Sequence, residues 1–264
     1  MSSNNTFHLH RFSRLFQQHL IHNGRTLVYS LGGYCGAMFL LLFMIQLTNG
    51  GQPLEVNAFV GLLVGSLATV GLLYIGYSFP AFRSKERSFS YLTLPASGLE
   101  KFLFEFVIRI ALFLIVIPLL YWFIFNVEGW FYELVNRKID FAGIGIGDVR
   151  QMKVRDMYVG PQTKVLMVGA GLLVLVLPFT GSAMFNKQPL VKTLFAVALI
   201  FLVFFGTAYI VIDPLGLDQY RPPKVMYVTP SNESEFTTLF SVFFVVANLV
   251  MLSVAYLKLK EKEV

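Results

Sequence analysis

In a chain that is 56% hydrophobic and 14% charged, chemistry has to come from a few ionisable and polar side chains. Their spacing decides what they can do. Glu105 and Arg109 stand four residues apart at the start of an apolar run. That spacing puts them on one helix face, where they can pair and the arginine can snorkel toward an interface. Arginine at mid-bilayer costs about 2.5 to 3.5 kcal/mol on insertion scales, so a place near a helix end favours a structural pair over a transport site. Asn248 is the polar residue deepest in an apolar run, and it is expected to hydrogen-bond a neighbouring helix. A proton or sodium relay would call for carboxylates near the middle of a run, and the sequence offers none there.

Hydrolytic chemistry lacks its usual parts. A phosphate-cradling loop needs a Gly-Lys pair, and the chain has none. H-E-x-x-H and G-x-S-x-G are also absent. Gly145-Ile146-Gly147-Asp148 resembles the G-x-G-D element of intramembrane aspartyl proteases, but that chemistry needs a second aspartate across a membrane cavity. The string stands beside Arg150 in a polar segment and no span carries a mid-membrane aspartate, so it reads as a glycine-rich turn, with the protease a remote alternative. His8, His10, His19 and His22 have no cysteine or carboxylate close in sequence, so they read as polar surface and not as a metal site. The one cysteine, Cys35, excludes an internal disulfide and a cysteine zinc cluster. No catalytic residue, metal or cofactor is expected, and the chain is not read as an enzyme.

The elements that must position these residues are membrane helices. About 20 apolar residues cross roughly 30 Å of hydrocarbon, and six stretches qualify: 26–46, 57–79, 102–126, 164–185, 190–212 and 236–257. Lipid leaves only helix for such spans, so the fold class is all-α integral membrane. The spans form one six-span transmembrane domain over 26–257. Within residues 1–25, Leu9, Phe12, Leu15, Phe16 and Leu20 share one helical arc, with Arg11, Arg14, Gln17 and Gln18 opposite. That pattern predicts an amphipathic helix over 7–22 lying in the headgroup plane. No small-residue cleavage site follows the first run, so a cleaved signal peptide is not expected.

Charge sets the expected orientation. The segments 1–25, 80–101, 186–192 and 258–264 carry 12 of the 21 Lys and Arg, and the short loop 47–56 carries none. By the positive-inside rule both termini are then cytoplasmic, including the tail 258–264. The net charge of +6 reads as topology facing an anionic leaflet, with the bilayer as partner and no nucleic acid. The outer loop 127–163 opens with Trp130, Phe131 and Tyr132, which suit an interfacial belt or a short helix on the outer leaflet. A second outer loop, 213–235, carries four prolines that argue against regular helix. Gly61 with Gly65, and Gly32 with Gly36, are small-residue pairs that allow close helix packing within or between chains.

The cytoplasmic loop 80–101 is the most informative segment. Ser97 and Glu100 form an S-x-x-E capping box that starts the third helix, and Pro95 separates it from what precedes. Before that stop, Phe89, Tyr91, Leu92 and Leu94 form an apolar cluster in a charged loop. Such a cluster is either a docking surface or a patch resting on the bilayer.

Arg83 through Arg87, Leu92-Thr-Leu-Pro-Ala-Ser97 and Glu100-Lys101 together resemble the loop between the second and third helices of export-type ATP-binding-cassette permeases. The likeness is to the six-helix members of about 250 residues found in Bacteroidetes-type bacteria. Gly181-Ser-x-x-Phe185-x-Lys187 with Lys192-Thr193 is a second local match. The resemblance implies a permease subunit of an exporter in the bacterial cytoplasmic membrane, dimeric with itself or a similar permease. A separate ATP-binding-cassette ATPase would drive it, receiving the segment Phe89 to Leu94 with Tyr91 and Pro95 in a groove. Such permeases often carry re-entrant helices between the fifth and sixth spans, which the proline-rich 213–235 loop fits poorly. Two other readings compete: a non-transporting membrane component that anchors a complex, and an intramembrane protease using Asp148.

Overall fold

The structure, a computed structural model, describes residues 8–48, 56–80, 96–135, 143, 161–212 and 233–262. Among these residues the chain forms α1 (Leu9–Thr48), α2 (Val56–Ile75), α3 (Gly98–Val135), α4 (Pro161–Met184), α5 (Pro189–Ile212) and α6 (Glu233–Lys262). All six are long and apolar enough to cross a membrane, and no strand is present among the described residues. The protein therefore has an all-α membrane fold and is a multi-pass membrane protein. Its contacts fall into two compact units, Met1–Gly71 with Leu94–Tyr158 and Leu72–Thr93 with Val159–Val264.

In the first unit α1 and α3 run parallel, side by side. Near their starts Phe12 and His19 meet Phe104 edge-on; near their ends Phe39 and Phe43 meet Phe131, and Phe43 also meets Tyr132. The beginning of α2 closes the core from the opposite direction. Phe59 is buried with Met38, Leu42, Tyr121, Ile124 and Phe125, and the Tyr121 hydroxyl donates to the Phe59 carbonyl at 3.1 Å. A tyrosine hydroxyl buried among apolar rings needs such a partner.

Two sequence expectations change here. The amphipathic segment over 7–22 is not a separate helix: α1 is continuous from Leu9 to Thr48, 40 residues and about 60 Å. Phe12, Leu15, Phe16 and His19 are half-buried while Leu9 and Leu20 are exposed, so part of the apolar arc is covered by α3. The third span likewise continues past Asn126 to Val135, and Trp130, Phe131 and Tyr132 ride on its last turns. The Asn126 side chain donates back to the Trp122 carbonyl at 2.9 Å, bonding within the helix that it was expected to end.

The second unit is built on a seam between α4 and α6. Ser241 Oγ donates to the Gln162 carbonyl at 3.0 Å, Asn248 Nδ2 to the Gly169 carbonyl at 2.9 Å and Lys262 Nζ to the Ala183 carbonyl at 2.6 Å, each pair separated by 79 residues. Ala255 and Val176, both buried, occupy the intervening position of the same register. Positions 241, 248, 255 and 262 thus face 162, 169, 176 and 183 at seven-residue spacing, the repeat that keeps one seam of two helices in contact. Three of the four steps carry a hydrogen bond from a polar side chain to a partner carbonyl, and the fourth is apolar. Gly169 makes the close approach possible, since a Cβ there would meet Phe244 Cβ at 3.0 Å. Where α5 turns back on α4, Gly181 lies against Thr193 so closely that any Cβ would overlap its side chain.

The expected packing glycines behave differently. Gly32, Gly36, Gly61 and Gly65 have no atom within 4 Å of an added Cβ among the described residues, so none of these residues packs on them, which leaves the between-chain reading of the two pairs. Their spacing alone did not reveal that the facing helices lie elsewhere. Gly169→Val should therefore lower the thermal stability of the purified chain by about 1 to 3 kcal/mol through overpacking. Gly61→Val should not produce such a loss. Thermal unfolding of both variants in one detergent, followed by circular dichroism, checks the contrast.

Candidate functional site

The first turns of α3 need caps, because the leading N–H groups of a helix have no partner inside it. Ser97 has extended backbone angles (φ −72°, ψ 154°), and its hydroxyl accepts from the Glu100 N–H at 3.3 Å. Glu100 Oε2 in turn accepts from the Ser97 N–H at 2.9 Å. The capping box read from Ser97 and Glu100 is present in both halves.

Glu100 does more than the motif requires. Its other oxygen, Oε1, accepts from the backbone N–H of His8 at 2.7 Å and lies 3.6 Å from Arg11 Nε. The carboxylate is fully buried, and it stands at the N-terminal ends of α1 and α3 together. Each end carries partial positive charge from its unpaired amides, so one anion satisfies both and fixes them in one place. Phe104, one turn further along α3, adds ring contacts to Phe12 at 6.4 Å and His19 at 5.4 Å. Burial lowers the proton affinity of the His19 imidazole; the Glu105 carboxylate opposes this and the Arg109 charge adds to it.

Beyond the clamp, Arg109 Nε lies 3.4 Å from Glu105 Oε2, so the expected i,i+4 pair forms. Arg109 belongs to a π-helical turn, Val107–Ala111, closed by the Leu112 N–H donating to the Val107 carbonyl. Such turns insert one residue into a helix and are frequent at functional sites. In the second unit Asn248 bonds across to α4 as expected and spends its Nδ2 on two carbonyls, Gly169 and Phe244. The second local match also assembles: Gly181 packs on Thr193, Lys192 Nζ lies 5.8 Å from the centre of the Phe185 ring, and Lys262 donates to Ala183 and Asn186 beside them.

Phe89, Tyr91, Leu92, Leu94 and Pro95 lie outside the described residues, as do Gly145 and Asp148. One residue that sequence reading assigned to a loop is instead buried. Glu128 sits on α3, fully buried, against the equally buried Gln46 of α1. The signal was available in the spacing, because Tyr121, Ile124, Phe125, Glu128 and Tyr132 fall on one helical face and all are buried. Comparison with protein-family models, with curated proteins and with solved structures finds no match to this chain.

The double cap separates two variants. Ser97→Ala removes one side of the box, costs about 1 kcal/mol and frays only the start of α3. Glu100→Ala also strips the acceptor from His8 and Arg11, so the first turns of α1 should lose hydrogen-exchange protection together with those of α3. Protection of 8–19 unchanged in Glu100→Ala would count against the clamp. The clamp should also weaken in acid. A histidine whose proton affinity is lowered by folding contributes stability that is present above its unfolded pKa of about 6.5 and is lost as pH falls below it. Protection of 8–19 should decline over that range, and His19→Phe should remove the dependence.

Proposed function

We propose that this chain is the permease subunit of an ATP-driven exporter, with ATP bound and hydrolysed by a separate ATP-binding-cassette ATPase. The loop 80–101 couples the two. The observation that carries this reading is the Glu100 clamp. Glu100 ties the beginnings of α1 and α3 together at the end of the loop. A displacement applied at Phe89 to Leu94 therefore reaches two spanning helices at once, as mechanical coupling requires. The π-helical turn at Val107–Ala111 gives α3 a point where such a displacement can be absorbed or passed on. The absence of a Gly-Lys pair from the sequence agrees with nucleotide chemistry residing in a partner.

In this reading both termini are cytoplasmic, in the inner membrane of a bacterium, and the permease works as a pair with itself or with a similar subunit. The open glycine faces at Gly32, Gly36, Gly61 and Gly65 are free to take part in such pairing.

The test is affinity purification of the tagged chain from its native membrane in mild detergent, with ATP hydrolysis of the eluate as readout. The parent should bring down an ATPase. Phe89→Ala combined with Leu92→Ala should lose it, since truncating two central anchors commonly costs at least about 2 kcal/mol, or about thirtyfold in affinity. Ser97→Ala should keep it. A double variant that holds the ATPase as well as the parent removes the loop as docking element, and a parent that purifies with partners but no ATPase favours the anchoring component.

A further inference from the structure

A second feature of the first unit does not depend on the permease reading. Glu128 is 1% exposed and Gln46 is 2% exposed, and the end of the Gln46 amide lies 2.7 and 3.0 Å from the two Glu128 carboxyl oxygens. Among the described residues, the helix stretches beside this contact carry no cation. From Thr26 to Thr48 α1 carries no ionisable side chain except Tyr29, Tyr34 and Cys35, and α2 from Val56 to Ile75 carries none except Tyr74. On α3 itself the next buried side chains along the face are Phe125 and Tyr132, the other carboxylate of this end is Glu133, and the nearest cation toward the start of the helix is Arg109, more than five turns away. Among the described residues of this unit no lysine, arginine or histidine is placed to neutralise Glu128.

A buried carboxylate with no cation and a single neutral amide is the arrangement in which the charged form is most costly, and such a group ordinarily neutralises by taking up a proton. The geometry accommodates the acid. The Gln46 NH2 donates to the carboxyl oxygens at 2.7 and 3.0 Å, and the carbonyl oxygen of the acid keeps such a bond when the other oxygen carries the proton. We propose that Glu128 and Gln46 form a proton-binding site between α1 and α3, occupied when the two helices are packed as in the structure. The proton belongs to the carboxyl group of Glu128, whose carbonyl oxygen accepts from the Gln46 amide. Its release leaves a buried anion held by one neutral amide, which entry of water or a cation would stabilise further, so proton loss and separation of α1 from α3 at this end are linked. Carboxylates buried among membrane helices mark proton and ion pathways elsewhere, and here the site sits at the opposite end of the helix pair from the Glu100 clamp.

Infrared spectroscopy of the full chain in nanodiscs reads the proton directly. At pH 6 an exposed glutamate, with pKa about 4.3, is ionised. The wild type minus Glu128→Gln difference spectrum at that pH should show the carbonyl stretch of a protonated carboxylic acid, moving to lower wavenumber in D2O. The band should fade as pH is raised. Gln46→Leu keeps the carboxyl but removes its partner, and should move the same band to higher wavenumber, which assigns it even if Glu128→Gln fails to fold. A spectrum at pH 6 with only carboxylate bands in the difference, or an acid band indifferent to Gln46, overturns the proposal.

Discussion

The first unit depends on one buried anion. Helix starts are the places where a membrane protein's backbone is least satisfied, since four amides of each helix point at nothing. The ends of α1 and α3 lie together, so their positive ends add rather than cancel. Glu100 resolves this for both, taking the Ser97 amide with one oxygen and the His8 amide with the other while Arg11 balances its charge. Remove the carboxylate, and two sets of amides and a guanidinium lose their common acceptor. The aromatic contacts of Phe104 with Phe12 and His19 then lose the shared acceptor that fixes the two helix starts together. Side-by-side parallel packing of α1 on α3 follows from that anchor, and the buried cluster around Phe59 and Tyr121 completes it.

The second unit uses a different device. Apolar side chains between lipid and protein gain little by choosing protein, because lipid tails are equally apolar, so specificity has to come from close approach and hydrogen bonds. The α4 and α6 seam supplies both. Gly169 lets α6 come within contact of the α4 backbone, and Ser241, Asn248 and Lys262 each reach a carbonyl of α4 in the same register. A slip by one residue would carry all of these donors off their acceptors. Lys262 adds an electrostatic component, since it meets the carbonyl end of α4, where the helix is partially negative.

Features fixed by local spacing were legible in the sequence. Six spans follow from run length, the Ser97 and Glu100 box from its motif, the Glu105 and Arg109 pair from i,i+4 geometry, and the interhelical bond of Asn248 from its depth in an apolar run. What could not be read was which helix faces which. Gly61 and Gly65 have the spacing of a packing motif yet face open space, while Gly169 and Gly181, in less regular patterns, take the closest contacts. That difference lies in tertiary neighbours and not in the segment. The break expected between the amphipathic stretch and the first span did not occur, because a polar stripe is compatible with interfacial burial and with packing against another helix, and α3 provides the latter. Glu128 was hidden for a related reason: a carboxylate after an asparagine resembles the end of a span, although the buried face continues through Tyr132. The apolar cluster Phe89 to Leu94 lies outside the described residues.

The two glutamates on α3 show how position decides what one side chain type can do. Glu100 is buried where amides and a guanidinium converge, so its charge is matched and the carboxylate acts as a fixed structural anion. Glu128 is buried seven to eight turns further along the same helix, beside an amide and among rings, with α2 and residues 26–48 of α1 contributing no cation. The same low-dielectric surroundings that strengthen the first arrangement penalise a charge in the second. One helix pair therefore carries a charge-matched tie at one end and, at the other, a contact whose strength varies with the protonation of one buried carboxyl. Acid loosens the first end, where His19 takes up a proton, and base the second, where Glu128 gives one up, so an opening of α1 from α3 driven by proton loss starts at the end that bears Glu128.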